Sequence, residues 1–500
     1  MRFPRSSGLL MPVFSLPAVS GIGDLGPCAH RFVDFLHDAE QTIWQMLPLG
    51  PPALGNSPYS SYSAFAGNPL LISLEKLTDM GLLPADYPVA LDTEHPNKID
   101  YDRVAAHKQA ALQHAFATFC GGNFPAERAG LEEFQADNEH WLPDFVLYQS
   151  LATEYGEPDW SCWPAELVQG QPAAMAAARD RLAAAIDLAC FEQYLFHRQW
   201  QELKTYAHER QIRLYGDMPI FVAYESVDVW RNQELFALDA DGRPTVVAGV
   251  PPDYFSATGQ MWGNPLYRWD RLQDSGFAWW LARLQQAFQS FDILRLDHFR
   301  GFESYWEIPA GAENAINGTW QPGPQTALFD AARDRFGPLS IVAEDLGLIT
   351  DEVHQLRETL RFPGMRVLQF GFDSADDPFH RPEAWPEHCF AYTGTHDNET
   401  IAGWYQQRVN DGKDNALLSP LLRTDVPVHQ SLVQAVMDSA ADTVIIPIQD
   451  LIGLGNDCRT NTPGVSAGNW KFRCSGESQY TSLSAGLRQM TRDSRRSHRS

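Results

Sequence analysis

An eight-stranded (β/α) barrel, with helical and loop insertions at the mouth where its strands end, is the α/β fold class this sequence predicts. Three observations carry that expectation. Eight short apolar runs read as strands buried on both faces, and amphipathic stretches fall between them. Four of the runs also end on acidic residues: YGDMP with Asp217, LRLDH with Asp297, VAEDLG with Glu344 and TGTHDN with Asp397. A carboxylate inside such a strand is costly, whereas at the carboxyl end of a parallel strand it opens into the mouth of the barrel. One acid there could simply cap the next helix. Four at corresponding positions converge on one cavity.

The candidate strands follow in chain order. GLLMPVFSLP (8–17) comes after Arg2 and Arg5 and mimics a short signal peptide, but prolines interrupt it and no small-residue cleavage site follows cleanly. It reads as the first strand of a cytoplasmic protein. TIWQMLPL (42–49), IRLYGDMPIFV (212–222), DILRLDH (292–298) and SIVAEDLG (340–347) are the next four, and MRVLQFGF (365–372), CFAYTGTHD (389–397) and TVIIPIQD (443–450) complete the set. Eight is the number that closes a (β/α) barrel. CAHRFVDFLHDAE after the first strand and FAWWLARLQQAFQSF before the fourth have helical periodicity. Thr350 is placed to cap a helix with Val353, Leu356 and Leu360 on one face.

The uneven spacing is informative. Residues 50–211 and 223–268 are too long for single crossovers and read as insertions above the mouth of one catalytic domain spanning 1–500. The first, containing VAAHKQAALQHAFATFC and an alanine-rich stretch over 173–200, is expected to be mostly helical. The second ends in a Gly- and Pro-rich loop, 249–265, with Tyr254, Phe255, Gln260 and Trp262. The basic, polar end of the chain, 488–500, is expected to fray.

Composition narrows the partners. A formal charge of −25 and pI near 4.9 disfavour nucleic acid and anionic membrane, and suit a neutral substrate. Aromatic residues make up 12%, with 15 Trp, and aromatic faces stack on flat apolar surfaces such as sugar rings, although most serve the core. Seven scattered cysteines with no CxxC and no metal-ligand spacing read as free thiols of a reducing compartment. No run approaches a membrane span, and no phosphate-cradling glycine loop opens a helix after a strand.

SGIGDLG (20–26), SPYSSYSAFAGNPLLI (57–72), GDMPIFV (216–222), AGVPPDYFSATGQMWGNPLY (248–267), RLDHFRGFESYWEIP (295–309), AEDLG (343–347), GTHDNET (394–400) and PGVSAGNWKFR (463–473) together cover nearly the whole chain. In these segments the chain resembles the amylomaltases, the 4-alpha-glucanotransferases or disproportionating enzymes of glycoside hydrolase family 77 in the α-amylase clan. The resemblance implies that Asp297 is the nucleophile, Glu344 the general acid/base and Asp397 the transition-state stabiliser. It further implies that Arg295, Asp217 and His396 support the nucleophile and bind the donor sugar, that Tyr59 is the donor-site aromatic, and that 249–265 is a lid shaping the acceptor subsites. The substrates it implies are maltooligosaccharides and glycogen- or starch-derived α-1,4-glucans, with glucose as an acceptor.

The residues agree with that division of labour. Arg295 and Asp297 are two apart on one strand, so they share a face and the guanidinium can keep the carboxylate ionised. Glu344, at the end of the next strand, must begin protonated and its pKa should sit above that of a free carboxyl. His396, Asp397, Asp297 and His298 could instead form a metal site, but metal barrels usually supply several histidines and this set is carboxylate-rich. No metal and no cofactor is expected, and His298 reads as a supporting residue. Asn469 and Trp470 read as structural or peripheral. Glu399, Ala257 and Phe472 depart from common relatives, and Ala257 and Met261 leave acceptor preference open. The competing functions are an α-amylase-like hydrolase, which would release new reducing ends, and a silent glucan-binding protein, which should have lost one of the acids.

Overall fold

The computed structural model describes residues 2–252, 256–373, 379–413 and 415–497. Its strands in chain order are β1 (Ser6–Leu10), β2 (Ile43–Gln45), β3 (Arg213–Met218), β4 (Val246–Val250), β5 (Gln260–Pro265), β6 (Ile293–Leu296), β7 (Ser304–Pro309), β8 (Thr319–Pro322), β9 (Ile341–Ala343), β10 (Gly364–Val367), β11 (Cys389–Tyr392) and β12 (Thr443–Pro447). Eight of them form one all-parallel sheet in the order β10-β11-β12-β1-β2-β3-β6-β9. The Ala343 amide donates to the Pro363 carbonyl at 2.9 Å and the Met365 amide to Asp345 Oδ1 at 2.6 Å, closing the ring between β9 and β10. The eight apolar runs therefore supply the eight staves of a (β/α) barrel.

The staves are shorter than the runs that announced them. Strand β1 stops at Leu10 because Pro12 has no amide to donate and Val13–Ser15 turn into a 3-10 helix. Close contact between barrel wall and outer helices fixes some positions: a Cβ on Gly216 would lie 2.2 Å from the Phe291 ring, so only glycine can stand beside Asp217 there.

Between β2 and β3 the chain makes helices Leu74–Asp79, Tyr101–Gly121, Pro125–Asp137, Leu142–Tyr155, Pro172–Arg181 and Ala183–Glu209, with shorter turns. The first half of Ala183–Glu209 packs within this helical group, as in the 4.8 Å stacking of Phe119 on Phe191. Its second half, through Trp200, Leu203 and Ala207, joins the barrel core. One helix is thus both the end of the insertion and the barrel helix leading into β3.

Two expectations are corrected. Both ends of the segment 249–265 are strand rather than loop: Gly249 and Val250 end β4 and Gln260–Pro265 is β5, in a second, four-stranded antiparallel sheet of order β5-β4-β7-β8. Gly249, Gly263 and Pro265 break the alternation by which such strands are recognised. Over its described residues the chain end expected to fray packs on the barrel: Ser484–Asp493 is a helix, and the Arg496 side chain is fully buried. Its guanidinium donates to the carbonyls of Ser6, Met437, Ser439 and Ala441, at 2.7–3.1 Å, so a basic residue seals the seam beside β1 and β12. Among the described residues, no helix is long and apolar enough to cross a membrane.

Candidate active site

The barrel register brings the acids together. Asp217 and Arg295 are paired Cα partners on β3 and β6, and Leu296 pairs with Ala343 on β9, so Asp297 and Glu344 emerge one step beyond a matched pair. Arg295 Nη1 donates to both Asp217 oxygens at 2.8 Å and to Asp297 Oδ1 at 2.7 Å. Burial opposes the charge on Arg295, but Asp217 and Asp297 outweigh it and hold the guanidinium protonated. Asp217 has no exposed side-chain surface, whereas the Asp297 side chain is 28% exposed. Only Asp297 of this pair is presented to the cleft. Burial pushes Asp217 up, against the pull of Arg295.

Tyr59, from the loop after β2, donates its hydroxyl to Asp217 Oδ2 at 2.7 Å. Burial, reinforced by the Asp217 charge, pushes the phenol far up and keeps it a donor. Its ring stacks on His396 at 4.9 Å and 17°. His396 Nε2 lies 3.2 Å from Asp397 Oδ2, and Asn461 Nδ2 donates to Asp397 Oδ1 at 2.6 Å. Burial works against the Asp397 charge, yet His396 and Asn461 hold the carboxyl down to about 2. Because this side chain is 41% exposed to the cleft, solvent screens part of that effect.

Glu344 is set differently. Burial, with the nearby charge of Asp297, pushes its carboxyl up to about 7, against Arg295 and two amides. Those amides belong to His298, at 2.7 Å, and Leu346, at 3.0 Å. His298 has its backbone in the left-handed region, at φ 52°, and burial lowers its imidazole to about 4. It is a neutral neighbour of the site, edge to face with Trp262 at 4.8 Å. Among the described residues, no group of three or more His, Cys, Asp and Glu side chains is arranged to hold a metal ion.

The structure thus brings Tyr59, Asp217, Arg295, Asp297, Glu344, His396 and Asp397 to one mouth. Gln260 and Trp262 stand on β5 beside it, where Trp262 Nε1 donates to Gln260 Oε1 at 3.3 Å. Tyr254 and Phe255 lie outside the described residues.

The family model described as 4-alpha-glucanotransferase matches residues 11–479. The chain belongs to the 4-alpha-glucanotransferase family. The transferase is 46% identical over 475 residues to the 4-alpha-glucanotransferase of Synechocystis, covering 94% of each chain. It is 44% identical over 484 residues to that of Thermus thermophilus, covering 95% of each. Among solved structures, an amylomaltase from Streptococcus agalactiae in complex with acarbose superposes with a TM-score of 0.95 at 36% identity, covering 99% of this chain and all of that one.

The transferase also uses residues that sequence reasoning missed or set aside. Asn461 grips Asp397, and Arg459 Nη2 donates to the Asp397 carbonyl at 2.5 Å. Nothing in RTNTPG singles them out, because their role depends on one loop folding over another. Trp470, read as structural or peripheral, lies 5.8 Å from the Tyr59 ring and 5.9 Å from His396, backing the stacked pair. Of the departures, Glu399 accepts from Asn456 at 2.6 Å and Phe472 is buried, so neither disturbs the acids.

Proposed function

We propose that this 4-alpha-glucanotransferase works by retention, through a covalent glycosyl intermediate on Asp297. Glu344 gives its proton to the glycosidic oxygen as Asp297 attacks the anomeric carbon, and the shortened glucan leaves. The 4-hydroxyl of an incoming glucan or glucose then gives its proton to Glu344 and displaces Asp297. Asp397, held ionised, faces the positive charge that develops on the ring.

The observation that carries the reading is the different surroundings of two register-matched acids. Asp297 is hydrogen-bonded to a guanidinium, while Glu344 is raised to about 7. Adjacent strands run ~4.8 Å apart, close to the ~5–5.5 Å that retention requires and short of an inverting separation. The acarbose bound by the Streptococcus agalactiae amylomaltase supports maltooligosaccharides as the substrate class. Glycogen- or starch-derived glucans would enter as donors and glucose as an acceptor. The seven unpaired cysteines support a reducing, cytoplasmic setting.

The test is incubation with maltotriose alone. Transfer produces free glucose and a ladder of longer glucans at constant total reducing ends. Rising reducing ends without a ladder would instead establish a hydrolase.

A further inference from the structure

The loop that carries His396 and Asp397 runs from the end of β11 to the helix Ile401–Asn410. Both of its ends meet one side chain. Asp450, 1% exposed, accepts from Thr393 Oγ1 through Oδ2 at 2.5 Å and from the Ile401 amide through Oδ1 at 2.7 Å. Thr393 is the first residue after β11 and Ile401 the first of the helix. Asp450 itself sits in Ile448–Ile452, a short helix that continues β12 without a break, so its position is fixed by the barrel wall.

Between those ends the loop is also met by the rings of Tyr59 and Trp470 and by side chains of Gln369 and Asn456. A small cavity borders it, lined in part by Thr395, His396, Asn398, Asp450, Arg459 and Thr460. Directional hydrogen bonds fasten it alongside that packing: the Asp450 pair at its ends, and Asn461 and Arg459 in the middle. Burying a carboxylate against only neutral donors is an expensive way to fasten a loop. It gives what packing does not, a fixed distance and direction at each end.

We propose that Asp450 is a positioning residue for the transfer reaction, holding the His396–Asp397 loop at the height from which Asp397 meets the reacting sugar. The inference rests on Asp397 acting in the transition state. Displacing a reacting group by ~1 Å costs on the order of 100-fold in rate, and the loss falls on the chemical step.

The experiment is steady-state disproportionation of maltotriose by Asp450→Ala, Thr393→Val and, as a control, Asp397→Asn, with thermal unfolding of each. Asp450→Ala is expected to lower kcat by about 100-fold while KM moves less than about threefold. Thr393→Val, which removes one end of the clamp at constant shape, is expected to lower kcat by about 5- to 10-fold with little change in Tm. If Asp450→Ala does not fold, Thr393→Val carries the test. Variants that lose Tm yet keep kcat within about twofold would overturn the proposal and make Asp450 a structural residue only. An active Asp397→Asn would instead overturn the role of Asp397, so the two failures are distinct.

Discussion

Arg295 and Asp297 stand two residues apart at the end of one strand, and the Nη1 that donates to Asp297 at 2.7 Å also reaches both oxygens of Asp217 at 2.8 Å. One guanidinium therefore balances a buried acid and an acid presented to the cleft. Arg295→Met leaves Asp217 buried without a counter-charge, and removing one partner of such a pair costs about 3–5 kcal/mol. The sign with pH follows from the direction of the Asp217 shift, which is upward. In the variant the folded state keeps a proton that the unfolded chain releases above pH ~4, so stability is lost as pH rises from there. Urea denaturation at two pH values should show a larger deficit against the parent at pH ~7.5 than at pH ~4.5. Equal deficits would mean that Asp217 does not carry the cost.

Glu344 must hold a proton to release the leaving glucan, and its carboxyl is raised to about 7. Activity per enzyme should therefore fall on the alkaline side as pH passes through about 7. Glu344→Gln should lower turnover of maltotriose by ~10²–10⁴-fold. An α-maltosyl fluoride donor needs no proton on its leaving group, so the same variant should release about one equivalent of fluoride rapidly and then stall as a glycosyl-enzyme detectable by mass spectrometry. Stability gives an independent reading. A folded-state value raised from 4.5 to about 7 stabilises only below the unfolded value, and that contribution is lost as pH climbs between the two. Glu344→Gln should thus melt higher than the parent at pH 8 but gain nothing at pH 4.

Trp262 is 39% exposed on the hairpin beside the mouth and meets His298 edge to face. A side chain so placed can shield the glycosyl intermediate from water and offer a surface to the acceptor. Trp262→Ala should raise the share of turnovers ending in hydrolysis several-fold, read as net reducing ends from maltotriose. Stability should fall by about 1–2 kcal/mol, because the covered part of the ring packs on His298 and Phe221. An unchanged ratio would place water exclusion elsewhere.

How much of this was legible in the sequence depends on where each contact comes from. The barrel staves were readable because burial on both faces leaves continuous apolar runs, and Asp217, Asp297 and Glu344 were readable because an acid at the end of such a run has few other uses. The sheet formed by β4, β5, β7 and β8 was not. Gln260–Pro265 has three exposed residues, a glycine and a terminal proline, and so carries neither alternation nor a continuous run. Asn461 and Arg459 were invisible for another reason, and Asp450, although it ends the run TVIIPIQD, gave no sign of the loop it holds. Each acts across 49 to 64 residues on a loop of a neighbouring stave, and nothing local marks that partner.

Arg496 shows the same limit at the chain end, where a basic tail conceals a buried anchor. Its guanidinium serves carbonyls from Ser6 in β1 and from Met437, Ser439 and Ala441 just before β12, so it joins the first and last staves. Arg496→Ala removes a donor from each of these carbonyls, although Arg5 still donates to those of Ser439 and Ala441. A buried acceptor left unsatisfied costs ~1–3 kcal/mol, and Arg5 retains two of the four, so a total loss of about 3 kcal/mol is expected. The seam lies under the barrel, away from Asp297 and Glu344. At a temperature where the variant is fully folded, its KM and kcat for maltotriose should match the parent, while its Tm falls by about 2–6 °C. A normal Tm would show that the tail is not a fastening, and a lowered kcat at full folding would show that the seam reaches the chemistry.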